Sequence, residues 1–132
     1  MNGPRSAFAV IALRVIDSIT QLQPADAGCI ALSGSHGGLS SSRYAIAARP
    51  LLSVFNDAGV GKDAAGIAGL AELQAAGLAA CAVSHTSARI GQADSTLADG
   101  VVSHANAAAR ELGIETGVAL RGQIEQLRRR HA

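Results

Sequence analysis

Three short apolar runs, Cys29–Leu32, Leu51–Phe55 and Leu78–Val83, each break off abruptly into glycine and small polar residues. Continuous apolar runs of strand length suit a parallel sheet covered on both faces, because side chains pointing either way then meet protein. Between them lie Ala-rich segments of helical length, Leu39–Ala48 and Asp63–Ala76. The Ser40-Ser41-Ser42 run falls in the first turn of the former. Gly77 stands where a helix C-terminus favours a left-handed residue, and Asp63 is placed to cap the second helix with its carboxylate. Further helices are expected from about Leu97 to Leu112, closing at Gly113, and from about Val118 to Arg130. The Arg128-Arg129-Arg130 run then sits where the helix dipole favours positive charge, as a solvated helix end. The segment Phe8–Ile16 fits a buried strand or a short helix, and we read it as a fourth strand.

Strand–helix alternation at these spacings implies right-handed βαβ crossovers. The expected architecture is therefore one α/β domain over residues 1–132, a small doubly wound (Rossmann-like or flavodoxin-like) three-layer domain with about four mostly parallel strands. With 48% hydrophobic residues, 16% charged and a mean hydropathy of +0.26, the chain can build a core. The 28 alanines let helices approach the sheet closely but bury little area each, which leads us to expect a homo-oligomer.

A net charge of +1 and 2% aromatic residues argue against a nucleic-acid surface, since both backbone attraction and base stacking are missing. No run reaches membrane-spanning length. Cys29 and Cys81 lie inside apolar runs at a spacing that matches no metal motif, as packing residues of a reducing compartment do. The stretch Ala7–Leu13 is broken by Arg14 and Asp17 without a good cleavage site, so the expected location is cytoplasmic.

Polar residues collect after each run: Ser33-Gly34-Ser35-His36-Gly37-Gly38, then Asn56 to Asp63, then Ser84 to Gly91. In an open parallel sheet the carboxyl ends of the strands share one edge, where ligands bind. That edge would gather His36, Asn56, Asp57, Lys62 and His85 from positions up to 49 residues apart. His36 and His85 are the proton-transfer candidates, and Asp57 would orient or activate one of them. His104, inside an expected helix, reads as a packed or surface histidine, and His131 lies in the tail.

Lys62 is the single lysine beside ten arginines and sits in a glycine-rich loop, where it would hold an anion. Arg89, among Ser84, Thr86 and Ser87, would clamp a carboxylate. Ser35 and the amides of Gly37 and Gly38 complete the expected ligand set. The Gly59-Val60-Gly61-Lys62-Asp63 stretch departs from a phosphate-binding P-loop, which needs glycine at Asn56 and a hydroxyl residue at Asp63. No G-x-S-x-G elbow accompanies Ser84 or Ser87. Two imidazoles and the Asp57 carboxylate would suit a metal, but no local spacing signature supports one, and no cofactor is expected.

The Ser35-His36-Gly37 strand end resembles the phosphorylated-histidine domains of mannose-type sugar phosphotransferase systems, which place their active histidine after the first strand of a small doubly wound sheet. The likeness covers about Cys29–Gly38 and the remaining loops do not follow it, so no family is assigned. It implies phosphoryl relay through His36 as a third reading. The leading expectation is an enzyme doing acid/base chemistry (hydrolysis, elimination or isomerisation) on a compact, polar, carboxylate-bearing metabolite. The rival is a non-catalytic module that binds a small ligand or a partner.

Overall fold

The computed structural model describes residues 11–130, so Phe8 to Val10 of the expected first strand, and His131, lie outside the described residues. The chain runs through β1 (Leu13–Ile16), 3-10 turns at Ile19–Gln21 and Pro24–Asp26, β2 (Ile30–His36), α1 (Leu39–Ala48) and β3 (Leu52–Asn56). A 3-10 turn at Lys62–Ala64 precedes α2 (Gly69–Ala75) and β4 (Ala79–Val83). Then follow α3 (Ala93–Asp99), β5 (Val102–Ala105), α4 (Ala107–Glu111) and α5 (Leu120–Arg130). The strands lie in chain order, β1 to β4 parallel and β5 antiparallel to β4. The protein is thus a small three-layer α/β domain with a mostly parallel sheet.

Period-two alternation along the strands supplies both layers. Ile30, Leu32, Leu52, Val54, Cys81 and Val83 form one core with Ala93 of α3 and Leu120, Ile124 and Leu127 of α5. On the other face, Ala31, Phe55, Ala80 and Ala82 pack with Ile19, with Ala45 of α1 and with Leu70 and Leu73 of α2. Close approach between α1 and α2 depends on glycine. A Cβ on Gly69 would stand 2.7 Å from the Gly38 carbonyl oxygen and from Ser42 Cβ.

Three expectations are corrected. The helix foreseen over Asp63–Ala76 is confined to Gly69–Ala75, with Ala68 rather than Asp63 as its cap. Asp63 instead adopts φ 56°, within a loop where Ala58, Gly59, Val60, Gly61 and Ala64 also have positive φ. The helix foreseen from Leu97 to Leu112 is split by the antiparallel edge strand β5. Gly100 makes the break possible, since a Cβ there would lie 2.4 Å from the Thr96 carbonyl oxygen and 2.8 Å from Val83 Cγ1. Asn106 then starts α4, its Oδ1 accepting from the amides of Ala109 and Ala80 at 2.9 and 3.0 Å.

The arginine run is not simply a solvated helix end. Arg128 Nε donates to the Ile11 carbonyl at 3.0 Å, and the Arg130 guanidinium donates to the Leu112 carbonyl. Among the described residues no helix is long and apolar enough to cross a membrane.

Candidate active site at the edge of the sheet

In a sheet of sequential order, right-handed crossovers carry each connection to the same face, and α1 and α2 accordingly share one layer. The chain leaving β4 departs to the opposite face, where α3 packs. The connections after β3 and β4 therefore leave the same sheet edge toward opposite layers. Asp57 follows β3 and His85 follows β4, so the two residues meet at that edge.

Asn56 holds the two loops together. It is fully buried, its Oδ1 accepting the Ala58 amide at 2.8 Å and its Nδ2 donating to the Ala88 carbonyl at 3.1 Å. Buried and bonded through both ends of its amide, Asn56 ties the β3 loop to the β4 loop.

Asp57 is 4% exposed. Its Oδ1 accepts the Gly59 amide at 2.8 Å and the His85 amide at 3.0 Å, and lies 3.3 Å from His85 Nδ1. Oδ2 accepts the Ser103 hydroxyl at 2.8 Å. Burial pushes the carboxyl pKa up, but the hydrogen bonds from Gly59, Ser103 and His85 together outweigh it and hold the group below its ordinary value. The carboxylate is therefore ionised and fixed. His85 is the accessible partner, its side chain 54% exposed and its ring lying over Gly59, where a Cβ would come within 3.6 Å.

With Asp57 facing Nδ1, the ring keeps its proton on that nitrogen and presents Nε2 as an acceptor. Such an orienter–imidazole pair can take a proton from a substrate at Nε2 and return it.

Ser103 and His104 were not foreseen at this site. The Ser103 hydroxyl proton goes to Asp57, so His104 Nδ1, 3.0 Å from Ser103 Oγ, donates to it. The signal was the alternation of Val102, Ser103 and His104, which presents Ser103 toward Asp57 once β5 pairs with β4.

The remaining candidates separate. His36 ends β2 opposite Asn56, but its ring lies against α1, Nδ1 accepting the Gly38 amide at 3.0 Å. Gly37 donates to the Asn56 carbonyl at 3.1 Å, so neither glycine amide is open to a ligand. Both glycines serve close packing instead, since Cβ atoms there would lie 3.1 Å from the Gly66 and 2.8 Å from the Ala65 carbonyl oxygen. Ser35 Oγ accepts the Ile19 amide at 2.9 Å.

Ser84 Oγ donates to Ser87 Oγ at 2.9 Å, and Ser87 Oγ accepts the Val101 amide at 2.9 Å, so both hydroxyls brace the β4–β5 connection. Lys62 is exposed on its 3-10 turn, its carbonyl accepting the Ala65 amide at 3.1 Å and its ammonium in no ion pair among the described residues. Arg89 lines a separate surface hollow with Asp94 and Asp99. Among the described residues no three His, Cys, Asp or Glu side chains are grouped to hold a metal ion, because His36 stands apart from Asp57 and His85.

Larger hollows, about 520 Å³ between β1 and α3 and about 610 Å³ beside α5, contain neither histidine nor lysine. Burial keeps both thiols inert, pushing Cys81 up to about 12 and raising Cys29 as well. No family model, curated protein or solved structure matches this chain.

Proposed function

We propose that the protein is a small acid/base enzyme in which Asp57 and His85 are the working pair, acting on a compact, polar, carboxylate-bearing metabolite. The observation that carries this reading is the 3.3 Å contact between a buried, multiply hydrogen-bonded carboxylate and a half-exposed imidazole. Asp57 anchors the Nδ1 proton, Nε2 takes a proton from the substrate, and the resulting imidazolium is stabilised by the adjacent carboxylate. Hydrolysis, elimination and isomerisation all use such a step. Lys62, on the loop that leaves Asp57, is the cation best placed in sequence to meet the substrate's carboxylate.

Compared with the sequence expectation, proton transfer now rests on His85 alone, because His36 lies in a different cluster. The alanine-rich layers continue to support a homo-oligomer, which native mass spectrometry of the purified protein measures directly.

The test is turnover of a panel of small carboxylate metabolites by the wild-type protein and by His85→Gln. Loss of a general base lowers turnover by roughly 10² to 10⁴-fold. Binding without turnover in the wild type, unaffected by His85→Gln, would favour the ligand-binding module instead.

A further inference from the structure

A polar cavity of about 310 Å³ lies on the α1 side of the same sheet edge. We propose that it binds a small oxyanion, a phosphate or carboxylate group, and that it does so independently of the Asp57–His85 pair.

The chemistry of its walls carries this inference. Nine residues line it, six of them bear hydroxyls, and none carries a carboxylate. Arg43 supplies a permanent positive charge, stacked 5.4 Å from the centre of the Tyr44 ring, with no ion-pair partner among the described residues. The nearest acid in sequence, Asp17, faces elsewhere, its Oδ1 accepting the Ala93 amide at 2.9 Å.

The hydrogen-bond directions agree with that charge. His36 Nδ1 accepts the Gly38 amide at 3.0 Å, so the neutral ring carries its proton on Nε2 and offers a donor. Ser35 Oγ accepts the Ile19 amide at 2.9 Å, which leaves its hydroxyl proton to be given. Ser41, only 6% exposed, places Oγ 3.4 and 3.5 Å from the two His36 nitrogens, and Ser40 Oγ is 3.5 Å from Nε2. The first turn of α1 opens onto the cavity through these two serines and adds the positive end of a ten-residue helix. With one uncompensated cation, no carboxylate and several hydroxyl protons to give, the cavity favours an oxyanion, which satisfies several of its groups at once.

The test is a ¹H–¹⁵N NMR titration of the full chain with inorganic phosphate and, separately, with acetate, against sodium chloride at matched ionic strength. Saturable shifts centred on the Ser35, Ser40 and Ser41 amides and the His36 ring are expected for at least one anion. Phosphate alone marks a phosphate site and acetate alone a carboxylate site, while saturation by both marks a general oxyanion site. Arg43→Gln, an exposed substitution, is expected to weaken binding by about tenfold through loss of a charge-assisted contact. Asp57→Asn is expected to leave the affinity unchanged, which separates this site from the proposed catalytic pair. Absence of saturation by tens of millimolar, shifts centred on the α5 arginines, or unchanged affinity in Arg43→Gln overturns the proposal.

Discussion

Ser103 donates its hydroxyl proton to Asp57 Oδ2 over 2.8 Å, joining residues 46 positions apart and tying the edge strand to the carboxylate that orients His85. Ser103 and the amides of Gly59 and His85 all lose an acceptor when Asp57 is truncated. Asp57→Ala is therefore expected to cost about 2–4 kcal/mol at neutral pH, read by urea denaturation. The acid dependence has a definite sign. Because the folded-state pKa is depressed, the ionised group adds stability above the ordinary carboxylate range, near pH 4, which is lost as pH falls through the folded value. Asp57→Asn should be less stable than wild type at neutral pH, and the gap should narrow in acid. A gap independent of pH would contradict the role given to the charge.

Three histidines should divide between the two tautomers. His85 and His104 are expected to carry their neutral-state proton on Nδ1, toward Asp57 and Ser103, whereas His36 carries it on Nε2 because Gly38 donates to Nδ1. Long-range ¹H–¹⁵N correlation spectra at alkaline pH read this directly. A His85 ring protonated on Nε2 would remove the proton acceptor on which the proposed chemistry depends.

Gly66 supports the site from below. A Cβ there would fall 2.3 Å from the Asp57 carbonyl oxygen and 3.0 Å from that of Val60, both backbone atoms that cannot swing aside. Gly66→Ala is expected to destabilise the fold by about 2 kcal/mol or more and to shift the amide signals of Gly59 and His85. Gly122→Ala is the control, since nothing lies within 4 Å of its added carbon.

Ser53 provides a prediction of opposite sign. Its buried Oγ is the only such side-chain atom without a hydrogen-bond partner among the described residues, in a strand position paired with Ala31 and Ala80. Removing an unsatisfied hydroxyl relieves its desolvation cost, so Ser53→Ala should raise stability by roughly 0.5–1.5 kcal/mol in thermal or urea unfolding. A loss of stability would mean that the hydroxyl has a partner.

Short-range patterning was enough to locate β2, β3, β4 and α1, and the start of the polar loops after each of those strands. Each is written locally, in an apolar run that needs cover on both faces or a glycine that ends a helix. Local pattern failed where a contact from elsewhere overrode it. Val101 to Arg110 has the composition of a helix, yet Gly100 packs on Val83 and Asn106 bonds Ala80, so the segment becomes an edge strand that delivers Ser103. The two strand-end histidines are equivalent in sequence, both following buried strands. Only the tertiary structure separates them: the chain turns toward α1 after β2 and toward the opposite layer after β4, which leaves His36 on a helix start and His85 against a carboxylate. Which face a connection crosses depends on layers of packing far away in sequence, and no window of residues around either histidine contains that information.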